Sequence, residues 1–162
     1  MEQPGAGAVR RVRKQVAEPM THVPPAPQMV SFAAWRDDGD PRGRRYVTLA
    51  ELLVRLGSFG LGLVWKARVF EGEPHPVFAR LEEVSAGRGI PTLELLATEA
   101  PYLQAVDADF EGWAGGELVL TLREFDSNSW DVRTAEPWVL EEIRRHYPDA
   151  TPLTRAAWDS TN

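Results

Sequence analysis

Between Val106 and Arg123, apolar and polar residues alternate with a period of two. Val106, Ala108 and Phe110 take turns with Asp107, Asp109 and Glu111. Beyond Ala114-Gly115-Gly116, Leu118, Leu120 and Leu122 take turns with Val119, Thr121 and Arg123. Period two marks strands with one buried face, and the glycines between them mark a hairpin turn. The two apolar faces coincide only if opposed residue numbers sum to an even value, because a one-residue slip flips every side chain. A three-residue loop, Ala114 to Gly116, meets that condition. It sets Asp109 opposite Thr121 and Asp107 opposite Arg123. The polar face then carries an acidic row, Asp107, Asp109 and Glu111, with one arginine partner.

The second strand of this hairpin runs into Asp126-Ser127-Asn128-Ser129. Such residues fold back onto their own backbone amides and end strands at little cost. Trp130, Asp131 and Val132 continue the sheet beyond that turn. Upstream, Ser31 to Trp35 reads as a first strand. Leu61 to Phe70 reads as another, with Leu61, Leu63, Trp65, Ala67 and Val69 on one face. Val77 to Leu81 fits a short strand or a helical turn, and Ser85 to Gly89 a loop.

Three segments carry helical spacing. Thr48 and Glu51 form a capping-box pattern ahead of Leu49, Leu52, Leu53 and Leu56, and Gly57 is the stop. Thr92 opens a short helix to about Thr98, with Leu93, Leu95 and Leu96 inward. Thr134 and Pro137 start a third, with Val139, Leu140, Ile143 and Tyr147 inward and Pro148 ending it. Strands joined by tight turns, with helices between them, predict an α+β fold. Its form is two-layer: a largely antiparallel sheet of about five strands with about three helices packed on one face. The expected organisation is a basic, proline-rich N-terminal tail over 1–30, a single α+β domain over 31–148 and a C-terminal tail over 149–162. Val9, Val12 and Val16 allow a short helix from Ala8 to Ala17 in the first of these.

Composition narrows the function classes. The 162 residues suit one domain, and 43% apolar with 26% charged residues is ordinary for a globular chain. No apolar run approaches the roughly 18 residues that span a bilayer, and the N-terminus has no apolar core of a secretory signal. The absence of cysteine excludes disulfides, thiolate catalysis and zinc–thiolate sites, and agrees with a cytoplasmic setting. Arginine far outnumbers lysine, and alanine, glycine and proline are frequent, as in a GC-rich bacterial genome. Net charge is −6. Residues 1–30 carry about +2 of it and the remainder about −8, so the core domain repels nucleic-acid phosphates and attracts basic partners.

No catalytic signature stands out. His22, His75 and His146 have no companion at metal-ligand spacing, no serine sits in a G-x-S-x-G context, and no phosphate-binding glycine loop is present. Asp37-Asp38-Gly39-Asp40 resembles part of a calcium loop but lacks the closing bidentate glutamate. No catalytic residue, metal site or cofactor is therefore expected. The expected partner-binding residues are the acids Asp107, Asp109, Glu111, Asp126 and Asp131, with Trp113 and Trp130 as aromatic anchors at the sheet periphery. The composition suits a small, acidic, non-enzymatic protein-binding module, of the immunity or antitoxin type that masks a basic partner. Two alternatives are a small enzyme or ligand-binding domain with a pocket near Trp65, Phe70 and Tyr102, and a subunit of a larger assembly tethered by residues 1–30.

Overall fold

The computed structural model describes residues 25–37, 43–71, 76–99 and 104–160. The expected helix Ala8–Ala17, His22, His75, Tyr102 and most of the Asp37–Asp40 cluster lie outside them. In chain order the elements are β1 (Gln28–Ala33), β2 (Trp35–Arg36), β3 (Arg45–Tyr46), α1 (Leu49–Arg55), α2 (Gly57–Leu61) and β4 (Val64–Glu71). Then come α3 (Pro76–Ala86), β5 (Ile90–Pro91), α4 (Thr92–Glu99), β6 (Asp107–Ala114), β7 (Glu117–Phe125) and β8 (Ser129–Thr134). Last are α5 (Pro137–His146), β9 (Thr151–Pro152) and α6 (Arg155–Ser160).

Seven strands form one sheet in the order β5-β4-β6-β7-β8-β1-β9, every pairing antiparallel, and β2 and β3 form a separate ribbon. The α+β class and the antiparallel sheet are as expected. The counts are larger, seven strands in this sheet and six helices among the described residues. The extra strands β5 and β9 hold two residues each, too few for any periodicity to register. Each contains a proline, which lacks the amide a further strand would need, so both sheet edges are blunted. Residues 149–160 are not a loose tail. Thr151 pairs with Ser31, Leu153 N donates to Met29 O (3.0 Å), and Trp158 is buried. The domain also starts earlier than residue 31, because β1 opens at Gln28.

One sheet face holds the core: Val30, Phe32, Trp65, Ala67, Phe110, Leu120, Leu122, Trp130 and Val132, packed under α1, α4 and α5. Trp65 lies across Gly112, where an added Cβ would come within 3.1 Å of its ring, so only glycine fits. Its Nε1 donates to Thr92 Oγ1 (2.8 Å), and that hydroxyl donates to Gly60 O (2.6 Å). Thr92 thus anchors the indole. The place considered for a pocket, around Trp65, is filled. Leu61 belongs to α2 and is exposed, so β4 starts only at Val64; Leu93 also points outward. α3 extends where a short strand or turn was expected. It lies along the open part of β4, with Ser85 Oγ accepting from Ala67 N (3.0 Å) and Glu82 from Val69 N (2.6 Å).

Thr48 Oγ1 accepts from Glu51 N (3.1 Å), the N-cap expected from the sequence. The carboxylate of Glu51 is engaged elsewhere, by Arg45 and by Tyr147 Oη (3.0 Å). Thr48→Ala removes one capping bond and should cost about 1 kcal/mol. Thermal unfolding measures this, and an unchanged midpoint would mean that the cap contributes nothing.

The β6–β7 hairpin departs from the expected loop. Gly115 and Gly116 alone form the turn, both at positive φ (58° and 88°), and Ala114 pairs with Glu117. A two-residue turn makes the opposed numbers sum to an odd value. A bulge then adds Val119 as an extra residue, since Trp113 pairs with Leu118 but Gly112 with Leu120. Beyond the bulge the sums are even, so Leu120 and Leu122 face inward as expected. The register itself is shifted by two: Asp109 faces Arg123, and Glu111 faces Thr121. Leu118, before the bulge, turns to the opposite face.

Candidate functional site

The face of the sheet away from the core is built as cross-strand rows. The best-ordered row reads Arg68, Asp109, Arg123, Asp131, Ser31 and Thr151 across β4, β6, β7, β8, β1 and β9. Charges alternate along its first four members. Arg123 grips Asp109 with two bonds, Nε to Oδ1 at 2.7 Å and Nη2 to Oδ2 at 3.2 Å. Arg68 approaches Asp109 from the other side at 3.7 Å. Burial pushes the Asp131 carboxyl up from its usual range, while Ser31 and the Arg123 charge pull it down and the Asp109 charge adds to the rise. Asp131 Oδ1 has no hydrogen-bond partner among the described residues.

α6 packs over the β7–β8 side of this face. Trp158 lays its ring 4.1 Å from the Arg123 guanidinium carbon and accepts from Arg123 Nη1 at its carbonyl (2.9 Å). Arg133 flanks the same ring at 5.9 Å. The other half, over β4, β6 and the start of β7, is open. There the row Val64, Trp113 and Leu118 is apolar. Val64 is 37% and Leu118 43% exposed, and Phe70, at the far end of β4, is 58% exposed. Lys66 Nζ sits 4.9 Å from the centre of the Trp113 ring. Arg68 bridges Glu111 at 3.4 Å.

A second feature lies at the end of the sheet where β7 turns into β8. Asp126 and Ser127 both adopt positive φ (49° and 50°), with Asn128 N donating to Phe125 O (3.0 Å). Left-handed backbone is unfavourable for residues other than glycine, so this turn stores strain. Surrounding bonds hold it: Asp107 Oδ1 accepts from Asp126 N (2.7 Å), Ser127 N donates to Val106 O (2.9 Å), and Trp35 Nε1 donates to Ser127 O (2.8 Å). Beneath the turn lies Glu124, a carboxyl on the core side of β7 that accepts from Tyr46 Oη. Burial pushes its pKa up to about 8, against the Tyr46 and Ala105 hydrogen bonds that lower it and with the Asp107 charge that raises it.

The seven residues expected at a partner interface therefore have different fates. Trp113 is half-buried beside the open half of the face, and Glu111 is paired there with Arg68. Asp126 is exposed at the turn and accepts from Asn128 Nδ2 (3.1 Å). Asp107 caps the turn backbone. Asp109 and Asp131 are each 3% exposed within the charge ladder. Trp130 is a core residue, 1% exposed, with Nε1 donating to Val47 O (2.7 Å). The acids do not form a solvated row, because the register sets arginines between them. Val64, Lys66 and Leu118 were not among the expected residues. The alternation assigned Leu118 to the core, and only the bulge turned it out. Glu124 was missed because it continues the inward positions of Leu120 and Leu122, a signal that was available in the pattern.

No known family, curated protein or solved structure matches this chain. Its chemistry rests on its own geometry. Among the described residues no group of three His, Cys, Asp or Glu side chains could hold a metal ion, and no helix is long and apolar enough to cross a membrane.

Proposed function

We propose that this chain is a non-enzymatic protein-binding module that meets its partner face-on, with the open half of the sheet. The carrying observation is the exposed apolar row Val64–Trp113–Leu118, on a sheet face where Trp158 of α6 covers the arginines of β7 and β8. Contiguous exposed apolar side chains across three neighbouring strands suit a partner that excludes water from them. Edge-on strand addition is disfavoured by Pro91 and Pro152 in the edge strands and by α3 along β4. Masking a partner's surface, as immunity and antitoxin proteins do, is a use that such a flat face serves. Most of the acids that would steer a basic partner are spent inside the fold, so affinity falls to aromatic and aliphatic atoms.

A photo-cross-linking residue placed at Leu118, in the cells the chain comes from, should yield one dominant protein adduct. Val64→Glu, in the same cross-strand row, should abolish it while the fold is retained. A matched probe at Val54, an exposed position on α1, should yield none. Adducts from Val54 and none from Leu118 would overturn the proposal. A small-ligand or enzymatic role is the second reading, favoured by Glu124 kept protonated beneath a strained turn.

A further inference from the structure

At the corner of the open half-sheet lies a groove of about 390 Å³, lined by Val64, Lys66, Gly87, Arg88, Trp113 and the hairpin glycines Gly115 and Gly116. We infer that this groove takes an acidic peptide segment, one whose carboxylates meet Lys66 and Arg88 while an apolar side chain packs beside Trp113 and Leu118. The inference rests on the protein-binding reading above and names the chemistry of the partner.

Three observations carry it. First, the charge of the groove is opposite to that of the molecule. The chain has a net charge of −6, yet the groove is lined by two cations and no carboxylate. Lys66 Nζ forms no ion pair among the described residues, and Arg88 has only a loose contact with Glu94, at 3.9 Å between two exposed side chains. Cations with so little internal neutralisation offer a ready site for an incoming anion. Second, the walls are backbone. At Gly87, Gly115 and Gly116 nothing lies within 4 Å of where a Cβ would sit, so an extended segment can approach main-chain atoms on both sides. Third, an aromatic anchor lines the same groove as the cations. The Trp113 ring is pinned by Lys66 at 4.9 Å, and its Nε1 is buried without a hydrogen-bond partner. A half-buried indole beside a lysine, in a groove that Arg88 also lines, suits a ligand with both a carboxylate and an apolar group. A basic segment would instead meet Lys66 and Arg88 as like charges.

The test uses the full chain and a capped peptide of alternating glutamate and leucine, with the lysine–leucine counterpart as control, followed by NMR of backbone amides and indole N–H groups. The acidic peptide should shift the Trp113 indole and the amides of Gly87, Gly115 and Gly116, and the shifts should fade as salt screens the charges. Lys66→Glu combined with Arg88→Glu should weaken binding by about tenfold or more, equivalent to ~1.4 kcal/mol. The milder pair Lys66→Gln and Arg88→Gln serves if charge reversal harms folding. Shifts caused by the basic peptide instead, no shifts with either, or unchanged affinity in both charge variants would overturn the inference. Cross-linking from Leu118 separates the two levels. If it persists undiminished in the charge-reversed chain, the binding face stands and the acidic partner falls. If the unaltered chain gives no adduct there, the face itself is wrong.

Discussion

Replacing Arg123 by methionine should destabilise this chain by about 3–5 kcal/mol. Arg123 is buried and makes both bonds to Asp109 at the centre of the charge ladder. Without it, Asp109 keeps only the exposed Arg68 at 3.7 Å, and Asp131 loses the positive charge that holds its carboxyl down. A carboxylate left buried without its partner carries the full cost of desolvation, which exceeds what the intact pair contributes. The double variant Asp109→Leu with Arg123→Met should recover most of the loss, because an apolar pair of similar volume removes both charges together. Denaturant unfolding of the single and double variants measures this. The single variant should also loosen α6, whose Trp158 rests on the guanidinium, so proteolysis near residues 151–160 should speed up. A cost below about 1 kcal/mol would mean that water reaches the ladder and solvates Asp109 directly.

The second large effect concerns pH. Glu124 keeps its proton in the folded chain up to about 8, whereas the ordinary value is 4.5. Between those values the folded state binds one proton more than the unfolded state, so stability falls as pH rises. The stabilisation tied to that proton is complete below about 4.5 and is lost as pH passes through about 8. Its full size is on the order of 5 kcal/mol. Glu124→Gln keeps an acceptor for the Tyr46 hydroxyl and never ionises. The variant should match the parent below about pH 4.5 and exceed it by a margin that grows until about pH 8. Urea unfolding across neutral pH for both chains isolates this group, since every other titration is shared. Parallel stability curves would show that Glu124 ionises in the ordinary carboxylate range.

The two large effects stand in different relation to the sequence. Asp109 and Arg123 are both visible as outward positions of alternating strands, so their shared face follows from parity alone. Their pairing does not. It depends on a two-residue turn and a bulge at Val119, and the sequence offers a three-residue loop as an equally valid route to the same parity. The acidic row was therefore legible and its neutralisation was not. Leu118 shows the same division from the other side. Its place in the alternation assigns it to the core, and the bulge turns it into the open face that now carries the proposed function.

What the sequence by itself determined is whatever depends on neighbours within a few positions. The Thr48 cap, the stripes of α1 and α5, the inward positions of β6 and of β7 beyond Val119, and the turn at Asp126–Asn128 all rest on local hydrogen bonding or on periodicity, and they stand. Only the tertiary structure decided what depends on distant segments. The two-residue edge strands exist because β4 and β1 present free amides and carbonyls to them. Trp130, read as peripheral, is central because β1 and β9 extend the sheet beyond β8 and Val47 receives its indole N–H. The last residues belong to the fold because Arg123 and Arg133 give Trp158 a surface to cover. The physical reason is the same in each case: a backbone segment records its own conformational preference, but its burial and its partners are set by chain that folds onto it from far away.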